Sequence, residues 1–192
     1  MKRFKNQKKI YLNIFIRYFI IIIFSLNSLY LFYIIFTPLT YYSVYSLFNF
    51  FYENVSLSVE GTPKINIGDF FIELIPACIA GSAYFLLLIL NLTTPGMSIK
   101  KRIFSLILSF FIFLFFNIIR IFSLGVLAYN KYSYFPTIHW LFWNFISIFF
   151  VIFIWFLEVR LFEIKEIPFY SDISFIFKNS NLYKKKNIIT LF

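Results

Sequence analysis

One cysteine, one histidine and an arginine set in an apolar run are the residues whose types suit covalent chemistry. Cys78 lies in "IPACIAGSAY", Arg120 in "FFNIIRIFSLG" and His139 in "FPTIHW". A thiol attacks as the thiolate, a form that a nearby cation favours. An imidazole can protonate a leaving amine. A guanidinium offers fixed donors to an oxyanion. Together these are the parts of an acyl transfer through a thioester. Each residue also has a plainer reading. A lone cysteine fills apolar space, a histidine beside Trp140 anchors at an interface, and an arginine near a helix end snorkels. Asn117 precedes Arg120 by one turn on the same face and is placed to orient it. Glu73, five residues before Cys78, either polarises His139 or caps the loop before Pro76. One cysteine and one histidine cannot build a zinc site, and no phosphate-binding Gly-rich loop is visible. A thiol redox enzyme needs a cysteine pair. No cofactor or metal is expected.

The elements that must hold these residues are apolar. The chain of 192 residues is 61% hydrophobic and 14% charged, with a mean hydropathy of +0.82. A soluble domain sits at about 45–50% apolar and about 25% charged. The composition therefore predicts an integral membrane protein. The abundance of Phe (31) and Tyr (14) reads as AT-rich codon usage rather than function. The expected fold is all-α: a polytopic transmembrane helix bundle of about four spans, at about 18–36, 74–92, 103–127 and 138–157. Between the first two spans, "YYSVYSLFNFFY" reads as a short interfacial helix after Pro38. "VSLSVEGTPKINIGDFF", broken by Gly61, Pro63 and Gly68, reads as an outward-facing hairpin or loop. The organisation is a basic N-terminal segment (1–17), a membrane domain (18–163) with a core at about 66–157, and a loosely ordered lysine-rich tail (164–192).

The net charge of +10 is distributed along span edges, which argues for topology rather than nucleic-acid binding. Lys2, Arg3, Lys5, Lys8, Lys9 and Arg17 precede the first span. Lys100, Lys101 and Arg102 separate the second and third. Arg160, Lys165, Lys178, Lys184, Lys185 and Lys186 follow the fourth. The positive-inside rule puts these regions, and both termini, in the cytoplasm of a multi-pass cell-membrane protein. Arg120 then lies about 26 Å into the third span, near the outer edge of the hydrocarbon. Cys78 and His139 open the second and fourth spans on that same side. Three reactive types from three helices thus share one depth, and the lysines set that topology independently of them. Small residues around the thiol, Ala77, Ala80, Gly81, Ser82 and Ala83, permit close helix approach.

The order of Ala77-Cys78-Ile79-Ala80-Gly81, then Asn117-Ile118-Ile119-Arg120-Ile121, then His139 resembles the exosortase/archaeosortase family of membrane transpeptidases. The resemblance covers roughly 66–157; length and AT-rich character look more like the archaeal members. Many members have glycine two residues after the cysteine, where this chain has Ala80. The resemblance implies an enzyme that cuts a C-terminal tripartite sorting signal of secreted surface proteins at the outer face. That signal is a short motif, a hydrophobic helix and a basic cluster. The new carboxyl end would pass to an acceptor, a membrane lipid amine. It further implies Cys78 as nucleophile, His139 as general acid/base and Arg120 as oxyanion stabiliser, with Asn117 and Glu73 supporting. Two other classes fit the composition: a non-catalytic membrane assembly partner and a small transporter subunit. Transport favours ionisable residues near the midplane and paired repeats; here the polar groups gather at one end.

Overall fold

The computed structural model describes residues 2–26, 29–59 and 61–179. Lys184, Lys185 and Lys186, expected as a cytoplasmic anchor, lie outside them. The described chain is mostly helical. In order it forms α1 (Lys2–Leu26), α2 (Tyr30–Phe51), three short strands β1 (Val55–Ser58), β2 (Lys64–Ile67) and β3 (Phe70–Glu73), then α3 (Pro76–Ile79) and α4 (Gly81–Leu92). The long α5 (Ile99–Tyr129) follows. Next come α6 (Phe135–Leu141), a π-helical turn (Phe142–Ile146), α7 (Ser147–Leu161) and α8 (Tyr170–Lys178).

Among the described residues, three helices are long and apolar enough to cross a membrane: Tyr30–Phe51, Ile99–Tyr129 and Phe135–Leu161. Ile10–Leu26 and Pro76–Leu92 are apolar but shorter. The long α5 shows the membrane pattern most plainly. Ser105, Ser109, Phe113, Asn117, Arg120 and Ile121 are buried, while Ile103, Ile107, Phe111, Phe115 and Ile119 are exposed. Both rows advance by about one helical turn. The polar row faces inward and the Phe/Ile row outward, the reverse of a helix in water. Ser98 opens α5, its hydroxyl accepting from the Lys101 N–H at 3.4 Å.

Three expectations are corrected. The first predicted span, 18–36, is not one helix. α1 stops at Leu26, Leu29 takes the left-handed conformation (φ 62°), and α2 begins at Tyr30. The aromatic stretch after Pro38 is not a separate interfacial helix; it is the second half of the 22-residue α2. A proline inside a helix removes one backbone hydrogen bond, and burial of Phe36, Thr40, Tyr41, Val44 and Phe48 around it holds the helix together. Thirdly, the tail after residue 163 contains an ordered helix. α8 docks on α1 through an Arg17–Asp172 ion pair at 2.7 Å and ring contacts Tyr11–Phe175 and Tyr18–Phe169. Periodicity was masked there by the surrounding lysines.

The expected hairpin is a three-stranded antiparallel sheet in the order β1-β2-β3. It caps one end of the bundle. Ile65, Ile67 and Leu74 pack with Tyr41, Val44 and Phe48 of α2 and Ile121 of α5. Gly125 permits this contact, because a Cβ there would stand 2.6 Å from both the Phe48 ring and Ile72. The second cluster lies deeper, around Phe32, Phe36, Tyr84, Leu87, Phe113 and Ile154. Phe36 stacks on Tyr84 with centroids 3.7 Å apart. The basic turn between α4 and α5 closes the opposite end. There Arg17 donates to the Leu92 carbonyl at 3.0 Å, and Arg102 donates to the carbonyls of Asn91 and Thr94. These arginines thus satisfy carbonyls that α4 leaves without helical partners.

Candidate active site

Cys78 sits in a single helical turn. Pro76 starts it, as suits a residue lacking an N–H, and the Cys78 N–H donates to Ile75 O at 2.8 Å. The turn ends at Ala80, which is left-handed (φ 59°, ψ 44°), and α4 begins afresh at Gly81. The predicted second span is therefore broken two residues after the thiol. Gly81 lets α2 come close: a Cβ would meet the Tyr33 ring at 2.9 Å. The break has a chemical consequence. The Cys78 carbonyl leaves the helical ladder and accepts from side chains of α5. Asn117 Nδ2 donates to it at 3.0 Å and an Arg120 terminal nitrogen at 3.3 Å.

Asn117 was expected to hydrogen-bond or orient the guanidinium. Its amide instead shares an acceptor with it, so the two residues are fixed through the backbone of Cys78. The other terminal nitrogen of Arg120 donates to Ser147 Oγ at 2.6 Å. That serine in turn donates to Phe142 O at 3.0 Å, across the π-helical turn. Arg120 is only 7% exposed, and among the described residues its Nε–H has no partner. Among the described residues its charge meets no carboxylate; the ion pair formed is Arg17–Asp172. A buried, uncompensated cation with a donor to spare is costly unless an anion comes to it.

A cavity of about 310 Å³ opens beside this arginine. Cys78, Arg120, His139 and Glu73 all line it, with β3 on one side and Phe135, Phe142 and Trp143 on the other. Residues from three separate segments therefore meet at one space. Cys78 is half-buried and His139 exposed. The imidazole is flanked by the rings of Phe135 and Trp143, with centroids 5.6 and 6.0 Å away. It makes no hydrogen bond to the thiol. The Glu73 carboxylate accepts from Thr62 Oγ1 across the hairpin, and Asn117 stands behind the cavity wall, 1% exposed.

The sequence reading passed over Ser147 and Trp143. His139, Trp143 and Ser147 recur at intervals of four, so a polar residue two turns after the histidine in an apolar run was the available signal. A second cavity, about 330 Å³, shares Arg120 and Trp143 with the first and is lined by Tyr33, Ala77, Ser82 and Ser147 among others. The arginine thus stands between two spaces. Set against family models, curated proteins and solved structures, the chain finds no match.

Proposed function

We propose that this chain is a membrane cysteine transpeptidase of the archaeosortase/exosortase kind, with the sheet end outside and both termini in the cytoplasm. The Cys78 sulfur attacks the scissile carbonyl of a C-terminal sorting signal on a secreted surface protein. The oxyanion that forms takes the spare donor of Arg120. His139 gives a proton to the leaving amine, and the thioester remains. An acceptor amine, of a membrane lipid, then attacks the thioester and the thiol returns. The observation that carries this reading is the shared cavity: Cys78, Arg120 and His139 line it from three segments, at the end remote from the basic turn.

The test is processing in cells. A secreted reporter ending in a motif, an apolar helix and a Lys/Arg cluster, taken from membrane-anchored proteins of the same genome, is co-expressed with the chain. The wild type is expected to remove the reporter's helix and Cys78→Ala to leave it. Equal cutting by Cys78→Ala would remove the thioester. Orientation is read separately: in a Cys78→Ser background, a cysteine placed at Ser133 should label with an impermeant maleimide from outside, and one at Ser98 should not. Reversed labelling would turn the cavity to the cytoplasm and end this reading. An inserted, correctly oriented chain that cuts no such reporter would point instead to a non-catalytic partner or transporter subunit.

A further inference from the structure

The wall of the cavity opposite α6 is a strand with one edge free. Sheet order β1-β2-β3 gives β3 a single neighbour. Phe70, Phe71, Ile72, Glu73 and Leu74 all line the cavity, four residues at most from Cys78 at the near end. Which backbone groups face that free edge follows from the register. β2 and β3 pair Lys64 with Glu73 and Ile65 with Ile72, and one step further on Leu74 N–H donates to Pro63 O at 2.9 Å. In an antiparallel pair, bonded and non-bonded residues alternate. Ile72 and Phe70 therefore direct their N–H and C=O groups towards β2. Phe71 and Glu73 direct theirs away from it.

The other side of β2 gives the same phase independently. Gly68 N–H donates to Asn54 O at 3.4 Å, next to the Val55–Ile67 pair. Asn66 and Lys64 hence turn their backbone groups to β1, which leaves those of Ile65 and Ile67 for β3. Among the described residues, two residues' worth of strand donors and acceptors, on Phe71 and Glu73, are thus unpaired. Proteins normally blunt or cover such an edge. Here it borders the cavity that holds the only thiol and an uncompensated guanidinium.

We propose that the free edge of β3 is the substrate-binding strand: an extended peptide lies between β3 and α6, pairs with Phe71 and Glu73, and brings its carbonyl to Cys78. Backbone pairing supplies affinity without reference to side chains, and the side chains of alternate peptide residues meet the aromatic wall of Phe135, Phe142 and Trp143. A strand fixes the peptide's carbonyls in space, which is what an attack by a thiol held on the adjoining turn requires. This inference rests on Cys78 as the nucleophile of the proposed function, but it concerns binding and can be measured without turnover.

The probe is acetyl-trialanine carrying a vinyl sulfone at its C-terminal end. The Cys78 S–H adds across the vinyl group: an S–C bond forms at the carbon β to the sulfone and the proton goes to the carbon α to it. Labelling of the intact chain is followed by mass. The peptide probe should react at least about tenfold faster than methyl vinyl sulfone, the worth of two net backbone hydrogen bonds. Methylating the probe's internal amide nitrogens should bring it back to the methyl vinyl sulfone rate. Phe71→Pro, which deletes an edge N–H where proline is tolerated, should do the same on the protein side. An N-methylated probe that labels as fast as its parent, or a peptide probe no faster than methyl vinyl sulfone, overturns the proposal; both readings use the wild-type chain and need no variant to fold. Amide-dependent labelling without reporter cutting would keep the strand and remove the transpeptidase; reporter cutting with no effect of amide methylation would do the reverse.

Discussion

The buried row of α5 carries polar residues at both ends, and the two ends are built differently. Towards the basic turn, Ser105 and Ser109 meet Asn91 of α4 and Glu158 of α7, and all four are fully buried at 0% exposure. Ser105 Oγ donates to Glu158 Oε1 at 2.5 Å and accepts from Asn91 Nδ2 at 2.9 Å. Ser109 Oγ donates to Leu106 O within its own helix at 3.0 Å, so Ser105, Asn91 and Glu158 are the side chains that tie the three helices together. Towards the sheet, Asn117 and Arg120 tie α5 to the Cys78 turn and to Ser147, but that cluster opens on a cavity and on a half-buried thiol. One end spends its polar groups on holding helices together, as apolar surroundings demand. The other holds helices together and also keeps a cation within reach of whatever enters.

The sharpest way to test that contrast is Arg120→Lys. Lysine keeps the charge but loses the planar fork that spans Ser147 Oγ and the Cys78 carbonyl. A snorkelling anchor would tolerate the change, since lysine snorkels too. An oxyanion stabiliser would not, and reporter cutting should fall by about 10²–10³ while insertion stays normal. Near-normal cutting would return Arg120 to the structural side of the comparison and make the two ends alike.

Glu158→Ala asks the converse question. It leaves the fully buried Ser105 hydroxyl without its acceptor, while Asn91 keeps its bond to Ser105 Oγ, at a cost of about 1–3 kcal/mol of stability. Thermal unfolding in detergent should show the loss, and cutting per folded molecule should be unchanged. A large fall in cutting with normal stability would mean that the sealed cluster also serves the reaction. Gly125→Ala probes the sheet end's geometry instead. Its Cβ would press on the Phe48 ring and Ile72 at 2.6 Å, so about 1–3 kcal/mol of overpacking is expected. Because Ile72 belongs to β3, peptide-probe labelling of Cys78 should slow as well. Unfolding and labelling both at wild-type values would mean that sheet and bundle are not tightly docked.

Residue chemistry made Cys78, Arg120 and His139 legible before any fold was known, because each is rare here and an apolar run cannot hide a guanidinium. The long α5 was legible for a related reason: an apolar run long enough to cross a bilayer leaves little choice but a helix. What the letters did not carry was backbone conformation. Leu29 and Ala80 are not residues that announce a left-handed turn, yet they divide two apolar runs into four helices. The free carbonyl of Cys78 follows from the second of these turns, so the partner of Asn117 was out of reach. Glu158 was unreadable because its burial depends on two other helices, and the β3 edge because it depends on which strand pairs with which.

Ala80 offers the smallest effect. Left-handed backbone costs a residue with a Cβ about 1–2 kcal/mol, and nothing in the turn after Cys78 relieves Ala80 of it. Glycine would shed that cost, less about 0.4–1 kcal/mol for the greater freedom it gives the unfolded chain. Ala80→Gly should therefore raise stability by somewhat under about 1 kcal/mol. The gain matters less than its sign. If the turn at residue 80 exists to free the Cys78 carbonyl for Asn117 and Arg120, glycine suits it better, and cutting should be kept along with the gain. If Ala80 instead prefers a continuous helix from Pro76 to Leu92, glycine would cost about 1 kcal/mol, as in any helix interior. A fall in unfolding temperature would thus show that the Cys78 carbonyl is spoken for within the helix, and that Arg120 is fixed by Ser147 alone.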